Sequence, residues 1–189
     1  MKHINMMGCA ILLLVFSGQL IAQDDAATKA WLEYMTPGEL HQMLAKDDGE
    51  WNEEITMWMA PGAPPATSTA TVVNKMILGG RYQESKHIGS FMGQPFEGYS
   101  LMGYDNAKKL FQSTWVDNMG TGIMHLKGKW DPKTKTIHFE GTSVDPSTGD
   151  DMKVRETFKW IDVNTQLMEM FIQENGKEFK SMEIKLSRK

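Results

Sequence analysis

DMKVRETFKWIDVNTQLMEMFIQENGKEFKSMEIKLSR, residues 151–188, decides the fold class. Within it Met152, Val154, Phe158 and Trp160 fall on one parity, followed by Met168, Met170 and Ile172 and then by Met182, Ile184 and Leu186. A period near two places such residues on one face of a strand. Asn175-Gly176 separates two of the runs and suits a two-residue hairpin, where both central positions take positive φ. The same rhythm reaches back to Gly49. Trp51, Ile55, Met57 and Met59 alternate with Asn52, Glu54 and Thr56; Val72, Met76 and Leu78 follow, then Phe111 and Trp115, then Met124 and Leu126. Turn signals stand between them: Gly79-Gly80, Asp105-Asn106, Asn118-Met119-Gly120, Asp131-Pro132 and Asp145 to Gly149.

The count is about ten antiparallel strands joined by tight turns. A meander with one apolar face is most simply closed on itself, because closure removes unpaired edges. The expected fold is all-β, an up-and-down barrel over residues 49–189, with the Pro-rich stretch Pro61–Thr67 as a long loop inside the first hairpin. A short helix precedes it. Thr36-Pro37-Gly38-Glu39 offers a cap, a proline at the first helical position and a capping-box glutamate. Leu40, Met43 and Leu44 follow at helical spacing before Asp47-Asp48-Gly49 ends the run, so a helix is expected over 37–46 within a helical segment 24–48, with another around Ala26–Tyr34.

Residues 1–23 have the layout of a secretory signal: Lys2, the apolar run Cys9–Phe16, then Ser17-Gly18 and small residues toward Ala22 and Gln23. That run is shorter than the roughly 20 apolar residues a bilayer span needs. The chain is therefore expected to be exported, periplasmic or secreted, with no stable membrane span once the signal is cleaved. The lone cysteine, Cys9, lies inside the signal, so neither a disulfide nor a cysteine metal site is available to the mature domain. Among 189 residues, 20 Lys+Arg against 24 Asp+Glu leave a net charge of −4. No basic excess is present to bind nucleic acid through its phosphates.

Polar residues on the apolar parity are the functional clue. Glu53, Asn74, Glu84, Lys86, Ser113, Asp117 and Glu156 are expected to point inward. Buried carboxylates must find partners or take up protons. Trp115 and Asp117 share one strand face, and Tyr82 and Glu84 another, a mixture of aromatic wall and converging polar groups used by small-molecule pockets. Tyr82, Glu84, Trp115, Asp117 and Glu156 are the candidate cavity residues, and the ligand they imply is small and largely apolar. Two other readings stand beside this carrier. One is an enzyme using Glu84, Asp117 or Glu156 as general base; the other is a filled barrel that binds a partner. Methionines at inward parity fit either an irregular core or an adaptable interior.

Catalytic signatures are absent. Gly98-Tyr99-Ser100-Leu101-Met102-Gly103 misses the nucleophile-elbow spacing by one residue and lies in a strand pattern. His41, His87, His125 and His138 have no metal-ligand spacing, and no cofactor or metal is expected. The lysines 127, 129, 133 and 135 cluster about one turn and read as a solvated hairpin tip.

Gly49-Glu50-Trp51 at the first strand and Arg188 near the end of the last resemble the calycin pattern of lipocalins and their relatives. There a tryptophan closes the barrel floor and an arginine from the final strand covers it. The resemblance implies a floor made by Gly49, Trp51 and Arg188; lipocalins often carry disulfides, and this mature chain has none. From about Gly38 to Lys189 the sequence also resembles the DUF1579 family of bacterial proteins. The residues that carry this are Ile77-Leu78-Gly79-Gly80-Arg81-Tyr82, Gly93-Gln94-Pro95-Phe96-Glu97-Gly98, Gly103-Tyr104-Asp105-Asn106, Ser113 to Gly122, and Gly176-Lys177-Glu178. That resemblance implies a calycin-like barrel and carries no activity. Its glycines, Gly93, Gly98 and Gly103 in one region and Gly120 and Gly122 in another, mark bends, bulges or close approaches. Met92 to Phe96 beside Met119 to Gly122 are expected to form a lip at one mouth.

Overall fold

The computed structural model describes residues 15–174 and 176–189. Most of the apolar run of the expected signal, and Asn175 of the expected hairpin turn, lie outside the described residues. Helix α1 (Val15–Met35) covers the helix expected around Ala26–Tyr34 and belongs to a unit ending at Thr36. Trp31 and Tyr34 meet edge to face along it, and the Thr36 hydroxyl donates to the Leu32 carbonyl at 2.6 Å. Among the described residues no helix is long and apolar enough to cross a membrane.

The second unit, Pro37–Lys189, opens with α2 (Glu39–Ala45). The helix starts two residues later than the capping signals predict. Gly38 is its cap, and the reciprocal bond of the capping box comes from His41, whose Nδ1 accepts the Gly38 N–H at 3.0 Å. Thr36 is engaged by α1 and Glu39 is already helical, so the imidazole three positions after the cap takes the place of the expected glutamate.

Ten strands follow: β1 (Gly49–Met57), β2 (Ala66–Ile77), β3 (Tyr82–Phe91), β4 (Gln94–Asp105), β5 (Leu110–Asp117), β6 (Met124–Asp131), β7 (Thr136–Val144), β8 (Asp151–Trp160), β9 (Thr165–Glu174) and β10 (Lys177–Arg188). Each pairs antiparallel with the next, and β10 returns to β1 with Trp51 opposite Arg188, closing the barrel. Closure leaves every strand flanked on both sides and no edge open. The register slips once, between Lys180 and Met182 in β10.

β1 starts and β10 ends at the same rim, where α2 also lies. At this end Leu44, Trp51, Phe111 and Ile137 are fully buried, and Val72 and Leu186 nearly so. The inward side chains of Ile55 and Met57 on β1, Met168 and Met170 on β9, and Met182 and Ile184 on β10 are only half-buried, whereas Leu126, Phe139 and Val154 on β6, β7 and β8 are buried. Packing is therefore uneven around the barrel, tight along β6 to β8 and looser along β1, β9 and β10.

Candidate functional site in the barrel

The floor is built around Asp47, the residue that follows α2. Its main-chain carbonyl accepts the Trp51 indole N–H at 2.9 Å, and its carboxylate accepts the Trp160 indole N–H at 2.7 Å. Burial pushes the Asp47 carboxyl up to about 6, against the lowering effects of the Trp160 hydrogen bond and the Arg188 charge. Arg188 stacks its guanidinium 4.3 Å from the centre of the Trp51 ring. It also donates to the carbonyls of Lys46 at 2.7 Å and Asp48 at 3.0 Å, tying the last strand to the chain that enters the first. Gly49 adopts φ +121°, and a Cβ built there would sit 3.5 Å from the Arg188 guanidinium. Glycine thus lets the chain turn into β1 under the arginine. Gln83 completes the seal by donating from Nε2 to the Leu44 carbonyl at 2.8 Å.

A second polar group lies on the wall. Glu53 on β1 is buried, and its carboxylate meets His87 Nδ1 at 3.0 Å across the intervening β2. The imidazole stands edge-on to Trp115, ring centres 4.9 Å apart. Trp115 donates its indole N–H to Asp117 Oδ2 at 2.6 Å, while Asp117 Oδ1 accepts the backbone N–H groups of Met119 and Gly120 at 2.8 and 3.1 Å. Phe96 stacks near Trp115, and Gly98 lies beneath the indole, where an added Cβ would come within 2.6 Å of the ring. Asp117 is in this way a turn-holding carboxylate, committed to the Trp115 ring and to the loop after β5.

Glu156 differs from both. It projects inward from β8 between Phe139 of β7 and Met170 of β9, its partners in the pairing, with Val154 and Phe158 before and after it on the same face. It is 8% exposed, and no described residue offers it a hydrogen bond or a countercharge. Desolvation alone pushes its carboxyl up to about 7.

The expected cavity residues divide. Trp115, Asp117 and Glu156 face the interior. Tyr82, Glu84 and Lys86 face out, contrary to the inward parity expected for them. The β2–β3 connection spans residues 78–81, with Leu78, Gly79 and Gly80 all at positive φ, and Ile77 pairs with Tyr82. That register turns Gln83, Ser85 and His87 inward. The inner face of β3 is thus its polar face, so parity assigned from the aromatic residue comes out inverted. Tyr82 instead covers Gly103 on the outside, within 2.6 Å of where a Cβ would stand, and Lys86 pairs with Glu97 at 2.8 Å on the outer surface. Leu78, expected in the alternating run, is 68% exposed in the loop.

Asn118 joins the two stretches expected at the lip. Its N–H donates to the Glu97 carbonyl at 3.0 Å, and its side chain donates to the Pro95 carbonyl at 3.0 Å. The sequence reading missed the inward placement of His87 and the burial of Asp47. His87 would have followed from the β3 register; Asp47 carried no local signal, since it reads as an ordinary helix end. Among the described residues, no cluster of His, Cys, Asp or Glu is arranged to hold a metal ion.

A family model described as "Protein of unknown function (DUF1579)" matches residues 36–188, the whole barrel unit but for its last residue. The chain belongs to the DUF1579 family. Among solved structures, this DUF1579 barrel is similar to Rv2717c from M. tuberculosis, with a TM-score of 0.61 and 13% identity over 82% of this chain and 99% of that one. At that identity the likeness is one of fold. A redesigned beta barrel also aligns, with a TM-score of 0.43 and 14% identity over 77% of this chain and 94% of that chain. No curated protein matches the sequence.

Proposed function

We propose that this DUF1579 protein is exported and that its barrel holds a small, largely apolar molecule. The observation that carries the reading is the uneven interior: inward Ile55, Met57, Met168, Met170, Met182 and Ile184 on β1, β9 and β10 stay half-buried, while Phe111, Ile137 and Phe139 on β5 and β7 are fully buried. A closed barrel that needed only to be stable would bury these side chains to the same degree as Phe111 and Phe139. Thioethers adapt to irregular apolar guests, while Trp115 and Phe96 supply an aromatic wall beside the mouth. Of the candidate cavity carboxylates, Glu84 faces outward and Asp117 is committed to its turn. Glu156 remains.

Native mass spectrometry of the protein purified from an exporting host, followed by denaturation and identification of what is released, tests both parts. The expected result is a mature N-terminus near Asp24 and a stoichiometric apolar molecule, lost when Met170→Trp fills the interior. An uncleaved N-terminus would remove export. A ligand-free mass together with no uptake of decanol in titration would remove the carrier.

A further inference from the structure

Between floor and rim, the inward positions of the described strands hold acidic groups and no lysine or arginine. Glu53 is matched by His87, Asp117 is held by backbone N–H groups and an indole, and Arg188 at the floor is occupied by Trp51 and main-chain carbonyls. Arg155, the neighbour of Glu156 in the chain, faces outward and is paired with Glu178, and Lys86 on β3 likewise faces outward and is paired with Glu97. Glu156 is left as a buried carboxyl with no partner, in an apolar surround of Phe139, Val154, Phe158 and Met170.

An unpartnered buried carboxylate is costly to leave uncompensated, and a ligand that supplies a positive hydrogen-bond donor removes that cost. A ligand carboxylate would add a second negative charge to the same desolvated space. We propose that the barrel selects an apolar molecule bearing a protonated amine, with the ammonium seated against the Glu156 carboxylate, and discriminates against the carboxylate of the same chain length. This rests on the carrier reading above and specifies its head group.

Isothermal titration of the mature protein at pH 7.5 with decylamine, decanol and decanoate separates the two. Decylamine is expected to bind at least about tenfold more tightly than decanoate, with decanol between them. Glu156→Gln should reduce that preference to a few-fold and leave decanol unchanged, whereas Glu140→Gln on the outer surface should leave all three unchanged. Decanoate binding as tightly as decylamine, or an amine preference that survives Glu156→Gln, would overturn the head-group assignment while leaving the carrier in place. If none of the three binds, both fall.

Discussion

Replacing Glu156 by glutamine should make the barrel more stable, and more so the higher the pH. The carboxyl has an ordinary value near 4.5 in the unfolded chain and is raised to about 7 in the fold by desolvation. A raised carboxyl means that the folded state binds the proton more tightly than the unfolded state. The associated stability is fully present below the unfolded value and is lost as pH rises through the folded one. At roughly 1.4 kcal/mol per pKa unit, the fully developed loss at pH 8 is about 3 kcal/mol, of which under about 1 kcal/mol has appeared by pH 5. Glutamine keeps the shape and cannot ionise, so the Glu156→Gln advantage should grow by about 2 to 3 kcal/mol between pH 5 and pH 8. For a domain of this size that corresponds to a widening of the Tm difference by roughly 5 to 8 °C. Asp47, raised to about 6, and His41, lowered by burial, add their own pH dependence. Both are common to the two proteins and cancel in the difference. The assay is thermal melting of the ligand-free wild type and variant at half-unit steps from pH 5 to 8. A Tm difference that stays constant across the range would refute the placement of an unpartnered carboxyl in the interior.

Arg188→Ala removes the contact over Trp51 and the bonds to the Lys46 and Asp48 carbonyls, and should cost about 2 kcal/mol, read as a lower urea midpoint. Arg188→Lys should recover less than half of it, because one ammonium cannot stack and span both carbonyls. Gly98→Ala places a methyl against the Trp115 indole and should displace the ring, changing tryptophan fluorescence and weakening decanol binding several-fold; unchanged emission would contradict the close approach. His87→Ala leaves Glu53 buried without its partner and should destabilise the fold by about 2 to 3 kcal/mol, whereas the Glu53→Gln, His87→Gln double variant should recover part of that loss.

Local pattern and closure determined most of the architecture. Alternation of apolar residues in β1, β8, β9 and β10, punctuated by glycine and Asx turns, is a property of each short segment and can be read without the others. The meander then leaves one consistent solution, in which β10 returns to β1 and brings Trp51 opposite Arg188 across the length of the chain. What the alternation does not contain is which parity faces in when a strand carries polar residues on its inner side. In β3 that was decided by the length and backbone of the Leu78–Arg81 connection, which turned Gln83, Ser85 and His87 inward and left Tyr82 to cover Gly103 on the outer surface. Burial is similarly non-local. Asp47 looks like a helix end until Trp51 and Trp160 arrive from separate strands. Asp117 finds its donors on its own strand and in the turn after it, whereas Glu156, in mid-strand, has none nearby and nothing on the neighbouring strands reaches it. Period and turn chemistry act over a few residues, so the sequence alone determined the ten-strand barrel. Desolvation and charge pairing sum over strands distant in the chain, so only the tertiary structure decided which carboxyl was left without a partner.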